Sequence, residues 1–140
     1  MRTAADILAA KSDQTLYTTA PSASVLDAAS LMVDANIGAL VVMDAGNVVG
    51  LVTERDFVRH AHRIARASLQ VRDIMTPAIC VQGDETSEAC MALMTNIRYR
   101  HLPVREGRTL RGVVSIGDMV KDVITDQRFT IRQLEQYITG

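Results

Sequence analysis

The chain writes one seven-residue phrase twice. Gly50 to Asp56 reads GLVTERD and Gly112 to Asp118 reads GVVSIGD, and both fit glycine, two apolar residues, Thr or Ser, two free positions, aspartate. A hydroxyl residue followed three positions later by an acid has the spacing of a capping box. The hydroxyl accepts from an early helix amide, and the acid accepts from the cap residue's own N–H. Apolar residues at helical spacing follow each copy: Phe57, Ala61 and Ile64, then Met119, Val120, Val123 and Ile124. Each phrase therefore ends a strand and opens a helix. One copy alone fits a helix start as well as a binding site.

The repeat extends well beyond the phrase. At an offset of 62, ALVVMDAGNVVGLVTERD (39–56) lies over HLPVREGRTLRGVVSIGD (101–118) without a gap, the self-similarity that marks a repeat architecture. Asp44 to Asn47 and Glu106 to Arg108 suit tight hairpin turns. Upstream, SVLDAASLM (24–32) lies over TSEACMALM (86–94), each a helix opened by Ser24 or Thr86. The leaders ADIL (5–8) and RDIM (72–75) match at an offset of 67, so the first copy carries about five extra residues around Ala10 to Gln14.

Each half thus reads short strand (LYTT, AICVQ), helix, strand, strand, helix. The predicted fold is α+β, two β-α-β-β-α repeats packed as a pseudo-two-fold pair, plus a C-terminal helix. Repeat one with its leader spans 1–65, repeat two 66–126 and the terminal helix 127–140. A unit of roughly 60 residues is small for independent stability, so the copies should pack face to face. The short linker around Arg66 to Gln70 favours pairing within one chain. Thr130 to Gln133 has capping-box spacing, and Ile131, Leu134 and Ile138, with Tyr137 beside them, form a narrow apolar stripe. This predicts a separate last helix that must dock on its own chain or a partner.

With no Trp, two Phe and three Tyr in a 48% hydrophobic chain, the core must be aliphatic. A net charge of −1 gives no global field for nucleic acid or an anionic membrane. MRTAADILAAKSD has no signal-peptide apolar run, and no stretch approaches the roughly 18 to 20 apolar residues of a membrane span; the expected location is the cytoplasm. Cys80 and Cys90 lack metal-ligand spacing and read as reduced core residues. Arg55, Arg59, Arg63 and Arg66 fall on one helix face without interleaved aromatics, a solvated basic face. His60 and His62 read as surface residues. With no nucleophile–base arrangement, metal cluster or Walker-type glycine loop, no enzyme is expected.

The motif G-h-h-[ST]-x-x-D in both copies, the HLPV strand start and the ADIL and RDIMTP leaders make residues 3–125 resemble a tandem CBS-domain pair, a Bateman module. The resemblance implies regulatory binding of an adenosine compound between the repeats: AMP, ADP, ATP, NAD, NADH or S-adenosylmethionine. It further implies signalling through conformation or assembly, a homodimer, and an effector protein as listener. In the family the motif aspartate bonds both ribose hydroxyls and the Ser or Thr contacts phosphate or ribose. The matching residues are Asp56 and Thr53 in one site, Asp118 and Ser115 in the other. The chemistry fits, because a carboxylate accepts two vicinal hydroxyls and a helix N-terminus offers amides to phosphate.

Family sites also draw on the opposite repeat. The resemblance thereby assigns Thr76, Pro77, Ile79, Tyr99 and Arg100 to the Thr53/Asp56 site, and Ser12, Tyr17, Thr18, Ile37 and Gly38 to the Ser115/Asp118 site. Arg55, Arg98, Arg100 and His101 make the first site rich in phosphate-competent groups. The second has Gly117 in place of Arg55 and Gly38 in place of Arg100. The first is expected to take the more highly phosphorylated ligand, and the second AMP or the adenosine half of a dinucleotide. The alternative is a dimerisation or interaction module with non-functional nucleotide sites.

Overall fold

The computed structural model describes residues 2–139. Each repeat builds one three-stranded sheet. In the first, β1 (Thr18–Thr19) runs parallel to β2 (Ala39–Asp44), which pairs antiparallel with β3 (Asn47–Thr53). In the second, β4 (Val81–Gln82), β5 (His101–Glu106) and β6 (Thr109–Ser115) repeat that order. Parallel neighbours need a crossover, supplied by α2 (Val25–Ala35) and α6 (Ser87–Ile97). The register itself repeats. Ala39 faces Thr53 as His101 faces Ser115, and both hairpins slip in register at the matching place, after Val42 and after Val104. Gly46 and Gly107 hold the hairpin turns at positive φ, 82° and 60°, where a side chain would be strained.

The short leader helices are exchanged between the repeats. α1 (Ala4–Ala9) contributes Ala4 and Ile7 to the core of the second repeat, with Val81, Cys90, Met94, Leu102, Val104, Val114 and Met119. Its backbone is stitched there by Ala4 N–H to Glu85 O (2.8 Å) and Ala5 N–H to Gly83 O (2.9 Å). α5 (Val71–Ile74) buries Val71 and Ile74 in the core of the first repeat, and Val71 N–H bonds Ala23 O at 2.8 Å. Between the sheets, Val41, Leu51 and Leu110 form a third cluster with Ala39, Met43, Val48, Ala78 and Val113 packed on it. The core is aliphatic, as composition requires. Cys90 is buried and Cys80 half-buried, and burial raises both thiols above their ordinary pKa.

After β3 the chain forms α3 (Glu54–Arg59) and α4 (Ala61–Ile64). After β6 it forms one unbroken helix, α7 (Ile116–Thr139). The expected helix start at Thr130 is absent. The Thr130 hydroxyl donates to the Asp126 carbonyl at 3.1 Å, the i−4 bond of a mid-helix threonine. No Gly or Pro lies between Asp118 and Thr139, so nothing stops the helix opened at Ser115. Every residue from Val123 to Ile138 is exposed. Among the described residues no helix is long and apolar enough to cross a membrane.

Candidate functional site

Both motifs sit at strand-to-helix junctions. At the first, Asp56 Oδ2 accepts from the Thr53 N–H (2.9 Å) and the Thr53 hydroxyl (3.2 Å). At the second, Asp118 Oδ2 accepts from the Ser115 N–H (2.8 Å), and Ser115 Oγ accepts from the Asp118 N–H (3.1 Å). Both leaders use the same device: the Thr3 N–H bonds Asp6 and the Gln70 N–H bonds Asp73. Capping alone therefore does not single out the motif aspartates. What does is their surroundings.

Asp56 is 2% exposed and lies on the wall of a cleft of about 420 Å³ between the repeats. Thr53, Arg55 and Arg59 line it from the first repeat, and Thr76, Arg98, Tyr99, Arg100 and His101 from the second. None of the four arginines has an acidic partner among the described residues. Arg98 adopts a left-handed backbone, φ 58°, where the equivalent helix end of the first repeat uses Asn36. A non-glycine residue held there costs about 1 kcal/mol, and the turn brings Arg98 onto the cleft wall.

A second cleft of about 380 Å³ contains Asp118 and Ser12. Its wall carries three cations, Arg2, Lys11 and Lys121, and three acids, Asp13, Asp118 and Asp122. Arg2 is paired to Asp122 at 2.8 Å and Lys11 to Asp118 at 3.0 Å. The Asp118 carboxyl is held below its ordinary value: burial pushes it up, and the Ser115 N–H and the Lys11 ammonium together outweigh that.

The structure gathers Thr53, Arg55, Asp56, Thr76, Arg98, Tyr99, Arg100 and His101 around one cleft. It does not place Pro77 or Ile79 on that wall. Gly38, expected at the second site, stands on the wall of the Asp56 cleft, and its carbonyl accepts the Glu54 N–H at 3.1 Å within its own repeat. Tyr17, Thr18, Ile37 and Ser115 line neither cleft; Tyr17 and Ile37 pack on the first core. Sequence reasoning missed Glu54 and Arg59 on the first wall, and Lys11 and Asp13 in the second. The extra residues around Ala10 to Gln14 were the signal for that pair.

His101 stands between the sites. Burial, then the Lys11 charge, depress its pKa below 6.5 against the pull of Asp118 and Glu54. The folded ring is the weaker base, so the unfolded chain takes up a proton first. Stability from this group is complete above pH 6.5 and is lost as pH falls from there through the folded value. Urea midpoints of wild type and His101→Gln are expected to diverge on acidification, the wild type falling more steeply. Parallel curves would show that the ring does not titrate differently on folding.

The CBS domain family profile matches residues 4–63 and 71–125. The chain belongs to the CBS domain family. The CBS domain-containing protein CBSX3, mitochondrial, of Arabidopsis thaliana is 38% identical over 125 residues, 84% of this chain and 61% of the relative. This chain thus spans less than two thirds of that relative's length. A CBS-domain protein structure from Burkholderia ambifaria superposes with a TM-score of 0.83 at 46% identity, covering 89% of this chain and 96% of that one. CBSX2, solved in complex with AMP, superposes with a TM-score of 0.77 at 26% identity over 91% of this CBS pair and 99% of that chain.

Proposed function

We propose that this CBS pair is a cytoplasmic adenine-nucleotide sensor without catalytic activity, with its principal site in the Asp56 cleft. The observation that carries this reading is the pairing of a buried carboxylate with four arginines that have no acidic partner among the described residues. Asp56 accepts the ribose diol while Thr53, Arg55, Arg59, Arg98, Arg100 and His101 face the phosphates. The AMP complex of CBSX2 supports the ligand class. Arg55 and Arg59 come from one repeat, Arg98 and Arg100 from the other, so a bound phosphate chain fixes the angle between the repeats. The cation surplus favours ADP and ATP over AMP in this cleft, and the NAD and NADH pyrophosphate suits it as well.

Calorimetry with AMP, ADP, ATP, NAD, NADH and S-adenosylmethionine tests the reading, alongside thermal melts. A ligand at about a hundred times its dissociation constant adds about 2.7 kcal/mol of stability. If none of the six binds or raises the melting temperature, the competing reading holds, a dimerisation module with non-functional nucleotide sites.

The output runs through assembly and an effector protein. The exposed end of α7 carries Val120, Ile124, Gln127, Ile131, Leu134 and Ile138, alternately four and three residues apart, the seam of a two-helix coil with Ile124, Ile131 and Ile138 at a and Val120, Gln127 and Leu134 at d. The fully exposed segment from Val123 to Ile138 is near the length at which an isolated helix is marginal. A second copy of this chain presents the matching seam, giving a homodimer. Leu134, 57% exposed, makes Leu134→Asp harmless to the fold. Light-scattering mass measurements are expected to show its dimer dissociating at least about tenfold more readily. An unchanged dimer would place the interface elsewhere.

A further inference from the structure

Asp118 is already occupied from within the chain. Lys11 Nζ lies 3.0 Å from its Oδ2 and donates to the Val113 carbonyl at 3.0 Å. Asp56, at the matching motif position, has no ion-pair partner among the described residues. The difference comes from the extra residues of the first copy, which continue α1 into a closed loop. The Lys11 N–H bonds the Leu8 carbonyl at 3.2 Å, and Gln14 Nε2 reaches back to Leu8 O at 3.0 Å and Ala9 O at 3.4 Å. Since α1 is seated in the core of the second repeat, the loop is anchored beside the motif that Lys11 closes.

We propose that Lys11 is an internal lock on the second site, its ammonium holding Asp118 closed to a ribose diol so that the two matching motifs fill unequally. The proposal rests on the reading of both motif aspartates as ribose acceptors. A ribose that takes Asp118 must displace a partly exposed ion pair and the bond to Val113, together worth about tenfold in affinity. No surplus charge offsets this. The three cations of the second cleft face three acids, whereas the first cleft has unpaired arginines for a phosphate. The Asp56 cleft therefore fills first, and the second opens when Lys11 withdraws.

Calorimetric titration with AMP tests the lock in wild type, Lys11→Met, Lys11→Arg and Lys11→Met/Asp118→Asn. The Lys11 side chain is 32% exposed, so methionine keeps the packing of its stem while removing the charge. Wild type and Lys11→Arg are expected to show one strong event, at Asp56. Lys11→Met should add a second event, about tenfold tighter than any weak second event of the wild type, and the double variant should lose it again. If the Asp56 event persists while Lys11→Met leaves the second site unchanged or weaker, the lock is overturned and Lys11 instead serves the ligand's phosphate. If no variant binds AMP, the ribose reading has failed, and the lock falls with it.

Discussion

Asp56→Asn is expected to weaken AMP binding about a hundredfold, the loss of two charge-assisted hydrogen bonds from a buried acceptor. The substitution keeps shape and removes charge. Asparagine turns one acceptor oxygen into a donor, so it cannot take both hydroxyls of a diol while still accepting the Thr53 N–H. It also weakens the cap of α3, which lowers stability by about 1 kcal/mol. The protein contains its own control. Asp73 accepts the Gln70 N–H at 2.8 Å in the same arrangement and is exposed, away from either cleft. Asp73→Asn should therefore reproduce the stability loss and leave AMP affinity untouched. Paired urea melts and AMP titrations decide the matter: if the two variants bind AMP alike, Asp56 is a helix cap and nothing more.

The same comparison explains what the sequence could disclose. Strand pairing within a repeat is a local matter of alternation and turn chemistry, so an offset of 62 predicted both hairpins, and the structure adds a shared slip in register. The leaders were harder. ADIL and RDIM have nearly the same apolar pattern, and either helix fits either core, so their exchange depends on how the repeats face each other. Gly38 lies on the wall of the Asp56 cleft for a related reason. The family rule assigns that position across the interface, but the bond from Glu54 N–H to its carbonyl holds it beside its own motif. At Thr130 a sound local capping signal lost to context, because a helix already running through Asp126 has no reason to stop there. Lys11 is a long side chain whose partner lies 107 residues away, a contact that no short-range pattern encodes.

The two motif glycines carry the clearest consequence of that asymmetry. In sequence Gly50 and Gly112 are equivalent, yet they sit against different things. A Cβ on Gly50 would lie 2.9 Å from the Thr76 carbonyl oxygen and 3.0 Å from the Met75 sulfur. Thr76 is backbone-bonded to Leu51 in both directions, at 2.8 and 2.9 Å, and stands on the wall of the Asp56 cleft. A Cβ on Gly112 would meet the Leu8 side chain first, its nearest methyl at 2.7 Å, and a leucine tip can rotate away. Gly50→Ala is accordingly expected to destabilise the fold by about 3 kcal/mol, at the upper end of overpacking penalties, and to weaken AMP binding because Thr76 must move. Gly112→Ala should lower stability by about 1 kcal/mol and leave AMP binding at the Asp56 cleft intact. Urea denaturation and AMP titration of both variants separate the cases. Equal losses at the two positions would mean that the motif glycine serves the hairpin backbone. Unequal losses place its role in the close approach of β3 to the segment that lines the Asp56 cleft.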